Sequence, residues 1–417
     1  MSRTVPERVS LPPGFAFLVP AILAAMSMLG PFSIDTPFPA FREMAHSLDV
    51  TSAQMQLVVS AYLVSFGLMS PFWGPLSDAV GRRPVMLGGL VAYAAASVGC
   101  ALAPSLPVLL ACRVLQGLFV GGGVIVSRTV IRDVFEGAEA QRLMSRVMLI
   151  FSVAPAIAPV VGGLLLQVGP WQTIFWFMVG VGALLVVVVA TALPETHPVE
   201  RRIPFRLRAL AASLLGVSRH AGFHRVAWAA ALCFAGQFLY IASAPLFVID
   251  LLGKGELDFW ELFVPMIGGL MLGSQVSSWA AGRIRSERLV TGAMLFGVGG
   301  AVVNVVLAGV FGPTLPAAVV GPAMIAVGTG AFYPSTQLIL LDLFPMGRGS
   351  SVSMFTFITL LLNGVLAGAL TPLVTGSVLE LALASLAVML LGLGCWTSHL
   401  AVARRRARQS QNVVSSR

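Results

Sequence analysis

Twelve apolar runs, most of them long enough to cross a bilayer, set what this chain can become. They fall near 15–38, 53–73, 84–103, 107–129, 143–167, 173–193, 226–250, 259–281, 289–311, 315–340, 350–376 and 379–402. A hydrocarbon core takes about 20 apolar residues to span as a helix. Only 10% of the 417 residues are charged, against about 25% in a water-soluble domain, so the chain lacks a surface fit for water. The expected fold class is an all-α polytopic membrane protein with twelve transmembrane helices in two six-helix halves.

Loop charge sets the expected orientation. The formal charge of +9 rests almost wholly on arginine, with Lys254 the one lysine. A basic chain can signal nucleic acid, but here the arginines sit between spans, so no nucleic-acid partner is expected and a lipid bilayer is. With both termini inside, Arg82, Arg83, Arg128, Arg132, Arg142, Arg146, the cluster from Arg201 to Arg225, Arg283, Arg285, Arg288, Arg348 and the tail from Arg404 to Arg408 lie on the cytoplasmic side. Arg42 and Lys254 lie outside. That asymmetry is the positive-inside pattern of short loops. The one sizeable polar insert, 194–225, divides the chain into an N-terminal half (1–193), a cytoplasmic linker, a C-terminal half (226–403) and a basic tail (404–417). The first apolar run is too long for a signal-peptide core and is read as a retained helix.

Reactive residues are sparse. Cys100, Cys112, Cys233 and Cys395 all fall in apolar runs without metal-ligand spacing and read as small packing residues. His220 and His224 sit i, i+4 in the basic linker with no carboxylate pair nearby, and read as solvated. With the cysteines and histidines so read no metal is expected, and no phosphate-cradling Gly-Lys-Ser/Thr loop is present, so nothing suggests direct use of ATP.

Ionisable side chains at membrane depth are expensive and are functional candidates for that reason. Two stand out: Asp35, in Ser33-Ile-Asp35-Thr-Pro37-Phe-Pro39, and Arg113, in Cys112-Arg113-Val-Leu-Gln116-Gly117. At 1.5 Å per residue, Arg113 lies about 10 Å below the outer entry of its helix and Asp35 about 8 Å below the exit of its own. The two charges can share one level of a cavity; otherwise Asp35 caps a helix end in headgroup water and Arg113 snorkels outward. Gln116, three residues after Arg113, shares its helix face. Tyr62, Phe66, Phe238, Tyr240, Tyr333, Gln337 and Asn363 are further candidate lining residues, although aromatics at such places also serve as packing.

The loop Gly74-Pro-Leu-Ser-Asp78-Ala-Val-Gly81-Arg82-Arg83-Pro84 carries an order that a generic turn does not demand. With it, the chain resembles a Major Facilitator Superfamily transporter, specifically a drug–proton antiporter of the Bcr/CflA kind, over nearly its whole length. Arg113-Val-Leu-Gln116-Gly117 with Arg132-Asp133 matches that family's fourth-helix signature. Ala154-Pro155-Ala-Ile-Ala158-Pro159-Val-Val-Gly162-Gly163 matches its antiporter motif, with Ala for Gly at two places. Gly169-Pro-Trp171-Gln-Thr-Ile-Phe175 and Phe238-Leu-Tyr240-Ile-Ala-Ser-Ala-Pro245 resemble its sixth- and seventh-helix patterns. Pro37 stands where the family's Asp-x-Tyr-Leu-Pro has an aromatic.

The resemblance implies a monomeric secondary transporter of the bacterial cytoplasmic (inner) membrane, not an enzyme, which uses a proton gradient and no cofactor. It implies export of small amphiphilic drugs, such as phenicol- or bicyclomycin-like antibiotics, by alternating access. Asp35 and Arg113 would couple protons, and both, with Gln116 and the lining residues, would bind the drug. Gly74, Asp78, Gly81, Arg82, Arg83, Arg132, Asp133 and Glu136 would form a conformational latch in which the arginines reach Asp133 or Glu136. Asp78 would pair with an arginine or favour the N-terminus of the following helix. Pro155, Ala158, Pro159, Gly162 and Gly163 would form a hinge, since small residues let backbones approach and prolines release helix bonds. A proton-coupled transporter of a sugar or amino acid is the alternative. A membrane-embedded enzyme is disfavoured, because no acid cluster or nucleophile–base pair lies within the spans.

Overall fold

In hydrocarbon the α-helix satisfies every backbone N–H and C=O within its own segment, so long apolar runs become helices. The computed structural model describes residues 15–135, 137–344 and 348–415; it is 86% helical and shows no strand among those residues. In order come α1 (Phe15–Asp35), a 3-10 turn (Phe38–Ala40), α2 (Phe41–Ser47), α3 (Ser52–Val80), α4 (Arg82–Ala101), α5 (Leu106–Val134), α6 (Gly137–Leu166) and α7 (Gln172–Ala192). Then follow α8 (Leu207–Ser218), α9 (Ala221–Ala242), a π-helical turn (Leu246–Leu251), α10 (Trp260–Ala280), α11 (Ser286–Phe311) and α12 (Ala317–Leu343). The chain continues through α13 (Arg348–Val365), a second π-helical turn (Leu366–Leu370), α14 (Thr371–Val374) and α15 (Val378–Ser415).

Helices occupy all the expected positions. Among the described residues, ten segments are long and apolar enough to span a membrane. The other two positions belong to α6, whose described apolar stretch is Val153–Leu166, and α10, where Gly268, Gly269, Gly273, Ser274 and Gln275 dilute the apolar character.

Three expected helices prove interrupted. The first stops at Asp35, where Thr36 turns both its N–H and its Oγ1 to Phe32 O, at 3.1 and 2.6 Å. Pro37 and Pro39 supply no N–H, so the chain tightens into the 3-10 turn and restarts as α2. The span itself runs on to Ser47, twelve residues past Asp35. The expected helix over 226–250 closes at Ala242 and resumes after Pro245 as a π-helical turn. The one over 350–376 widens at Leu366–Leu370. At its other end α9 starts early, at Ala221, because His220 Nδ1 accepts from Phe223 N at 3.2 Å. His220 is thus a helix cap, not simply a solvated side chain, and His224 Nε2 lies 2.5 Å from Ser218 O.

The described residues fall into two compact units, one ending at Thr51 and resuming over Ala61–Leu207, the other taking Ser52–Ser60 and everything from Arg208 on. In the first, α4 packs on α5 and α7, while α1 packs on α5 and α6. In the second, α12 packs between α10 and α11, and α9 lies on α15.

The α6–α1 approach explains one expected hinge residue. A Cβ on Gly162 would run into Thr36 O, a backbone atom with no freedom to step aside, so glycine is what lets α6 lie against the break after Asp35. Ala158 and Pro159 are buried on the same helix, and Pro155 is half-buried. Gly162→Ala should lower stability by about 1–3 kcal/mol through overpacking. Gly180→Ala on α7, where a methyl meets nothing within 4 Å, should be neutral. Thermal unfolding in detergent checks the pair, and equal midpoints would refute the close approach.

Candidate functional site

Arg113 is fully buried on α5, so its guanidinium must find acceptors within the protein. It finds them at the end of α1 and on its own helix: Nη1 donates to Ser33 O and to Gln116 Oε1, both at 2.9 Å. The Ser33 carbonyl lies in the last turn of α1, where helix carbonyls lack intrahelical partners and carry the negative end of the helix dipole. The Tyr62 ring lies under the guanidinium, 4.6 Å from centroid to Cζ, a cation–π contact. Gln116 passes the network on: Nε2 donates to Ser97 Oγ at 2.6 Å, and the Cys100 thiol points to Oε1 at 3.5 Å. Ser33 Oγ meets Tyr93 OH at 2.6 Å. Phe66 sits one turn beyond Tyr62, ring centroids 6.3 Å apart.

Asp35 lies two residues past the carbonyl that Arg113 holds. It is 2% exposed, and its Oδ1 has no hydrogen-bond partner among the described residues. None of the Arg113 contacts above goes to the carboxylate. Arg113 thus fixes the turn that carries Asp35 and leaves the acid an open oxygen, able to take a proton or accept a hydrogen bond from a ligand. The first unit therefore gathers Asp35, Tyr62, Phe66, Arg113 and Gln116 around one level. Sequence reasoning missed Ser33, Tyr93 and Ser97, because hydroxyls in apolar runs are too common to single out.

In the second unit, Phe238 stacks on Phe234 at 6.3 Å, Phe234 meets Tyr333 at 5.3 Å, and Tyr333 meets Phe355 at 5.5 Å. Gln337 lies one turn beyond Tyr333, half-buried. Tyr240 leaves this ring cluster and accepts from Asn304 Nδ2 at 2.5 Å. Asn304, in the apolar run of α11, was missed, though an amide amid valines was a legible signal. Asn363 and Gln237 are buried, and each has an amide oxygen without a partner among the described residues.

The expected latch residues form a second, separate cluster in the first unit. Gly81 has φ +114°, a conformation open to glycine, and turns the chain from α3 into α4. Arg82, 5% exposed, pairs with Asp78 Oδ1 at 2.5 Å and with Asp133 Oδ2 at 2.9 Å, and donates to Ser77 Oγ at 2.7 Å. Arg83 goes elsewhere, to the Ala190 carbonyl near the end of α7. A residue that sequence reasoning missed completes the cluster. Glu195 accepts from Arg82 N at 3.0 Å and Arg83 N at 3.2 Å, placing a carboxylate on the unsatisfied N–H groups of the α4 N-terminus. Asp78 does not take that role. Its carbonyl instead accepts from Ile203 N at 3.1 Å, and Thr196 Oγ1 reaches Asp133 at 3.4 Å, so the chain after α7 is tied to the loop at several points. Gly74 leaves open space where a side chain would stand. Glu136 and the side chain of Arg132 lie outside the described residues.

Losing the Glu195 charge should loosen that tie. In Glu195→Ala, the missing cap should cost about 0.5–2 kcal/mol of stability, and trypsin should cut after Arg201 and Arg206 faster than in the wild type. An unchanged cleavage rate would show that Glu195 holds nothing in place.

Residues 22–368 match the Major Facilitator Superfamily. The chain is 31% identical over 348 residues to an uncharacterised transporter of that superfamily, YdgK of Bacillus subtilis, covering 82% of this chain and 86% of the relative. It is 31% identical to the bicyclomycin resistance protein homolog of Haemophilus influenzae, over 66% of this chain and 69% of that protein. It is 34% identical to multidrug resistance protein D of Escherichia coli, over 43% of this chain and 45% of the other. Among solved structures, a bacterial homologue of the lysosomal transporter Spinster superposes with a TM-score of 0.72 at 14% identity, covering 93% of this chain and 97% of that one. A D-xylose–proton symporter gives 0.71 at 14% identity, over 91% and 97%. Those two share the fold. The chain is a membrane transporter and belongs to the Major Facilitator Superfamily.

Proposed function

We propose that this transporter exports small amphiphilic drugs, of the phenicol or bicyclomycin type, across the bacterial cytoplasmic membrane in exchange for protons. The observation that carries the reading is Asp35: a carboxyl at the end of α1, 2% exposed, with one oxygen left without a partner among the described residues. The drug-resistance names of several relatives support the choice of cargo. The loop arginines support an orientation with both termini cytoplasmic, by the positive-inside pattern.

On this reading a proton on Asp35 and a drug compete for one polar site, and alternating access exposes that site to each side in turn. Arg113 and Gln116 hold the α1 turn that carries the acid, and Tyr62 and Phe66 offer ring faces to an apolar cargo. In the second unit, Phe238, Tyr240, Tyr333, Gln337 and Asn363 offer uncharged rings and amides, suited to loose recognition of varied molecules. Pro155, Ala158, Pro159, Gly162 and Gly163 make α6 the flexing element. Gly74, Asp78, Gly81, Arg82, Arg83, Arg132, Asp133 and Glu136 act as the latch, and the transporter works as a monomer.

In a drug-sensitive host, the wild-type chain should raise resistance to part of an antibiotic panel, and a protonophore should erase the gain. Asp35→Asn should abolish the gain while the protein still inserts; full resistance in that variant would refute the proton-coupling role. Unchanged susceptibility with the wild type across the whole panel would point to a metabolite as cargo. Asp78→Asn, which removes one of Arg82's two carboxylates, should slow drug flux in proteoliposomes several-fold without changing the amount inserted. Wild-type flux there would reduce the loop to a connector.

A further inference from the structure

The connection between α7 and α9 holds a helix to which the proposed transport site assigns no role. Helix α8 is twelve residues long, too short to cross a bilayer, and it is not buried as a core helix. Only Val217 is fully buried, set in the second unit's core with Phe223 and Val226. Leu210 and Leu214 lie half-buried on that side, and Ser213 Oγ meets Ser350 Oγ at 2.7 Å. The opposite side carries Ala211, Ala212 and Leu215, all exposed, with Leu215 at 53%. A water-facing surface of that kind needs charge, yet α8 has a single charged side chain, Arg208.

The charge lies at its ends and is all of one sign. From Arg201 to Arg225 the chain has six arginines and no Asp or Glu. Arg208 and Arg219, which bracket α8, are both exposed. An apolar face rimmed by arginine on a helix too short to span is the pattern of a segment lying in the headgroup boundary. Basic residues beside a span also draw anionic lipid, by about fivefold per arginine. We propose that α8 lies on the leaflet beside the linker, with Leu215 and its alanine neighbours in the acyl boundary and Arg208 and Arg219 on anionic phosphates. The occupant of this face is thus anionic lipid, not drug and not a second protein. It ties the segment between the two six-helix halves to the charge of the membrane.

The test uses the full chain in nanodiscs. Leu215→Cys, with the four native cysteines changed to Ser, carries an environment-sensitive fluorophore, and brominated phosphatidylcholine or phosphatidylglycerol serves as quencher. Phosphatidylglycerol should be preferred at position 215 by about tenfold or more, two arginines' worth of attraction. The preference should vanish in Arg208→Gln/Arg219→Gln and in high salt. A label at Phe296, 46% exposed near the middle of α11, should show no preference. The unlabelled wild type gives an independent reading: trypsin should cut after Arg208 and Arg219 more slowly in phosphatidylglycerol discs than in phosphatidylcholine. Equal quenching by the two lipids, no quenching by either, or label–label excimers between two copies would each overturn the proposal, as would equal cleavage rates.

Discussion

A guanidinium in hydrocarbon must be surrounded by acceptors, and where Arg113 finds them organises the first unit. Its reach to Ser33 O ties α5 to the last turn of α1, and Gln116 extends the tie through Ser97 to α4. The Tyr62 ring adds α3 to the same point. Four helices are thus registered on one cation. The cost of burying that charge is offset by hydrogen bonds, while Asp35, on the same turn, keeps an open oxygen.

The same logic separates the two loops that the duplicated halves would place in equivalent positions. Between α3 and α4, Gly81 turns the chain, Arg82 gathers Asp78 and Asp133, and Glu195 closes the N-terminus of α4. Between α10 and α11, Gly282 also has positive φ, at +75°, but Arg283 lies over the Trp279 ring at 5.1 Å and donates to the Trp279 carbonyl. One loop holds its arginine with carboxylates and the other with a ring and a backbone oxygen. The Arg82–carboxylate contacts, at 2.5 and 2.9 Å, are direct charged hydrogen bonds, and water entering between the partners raises the local dielectric and weakens them. On the proposed reading, these carboxylate contacts are the ones that a latch in the first half would break.

The sequence made the long helices legible, because each needs only about 20 apolar residues and flanking turns. It also exposed Asp35, Arg113 and Gln116, since charge and amide are rare within such runs. The breaks were harder. Pro37 and Pro39 were visible, but whether a proline bends, ends or merely tightens a helix depends on which neighbours replace the lost bond, here Thr36 with Phe32 O. Glu195 was not legible as a helix cap, because it lies 113 positions from Arg82 and reads locally as one polar residue in a polar linker. Nor did periodicity show that α8 rests on Val217 and leaves Leu215 uncovered; only packing decides that.

The central claim is that drug and proton compete at Asp35. Proton release from purified, weakly buffered transporter on addition of a drug that it exports tests this without membranes, gradients or a host. The account predicts a release in the wild type that is absent in Asp35→Asn, while that variant still binds the drug. Equal release from both proteins would place the exchanged proton on another group and contradict the account.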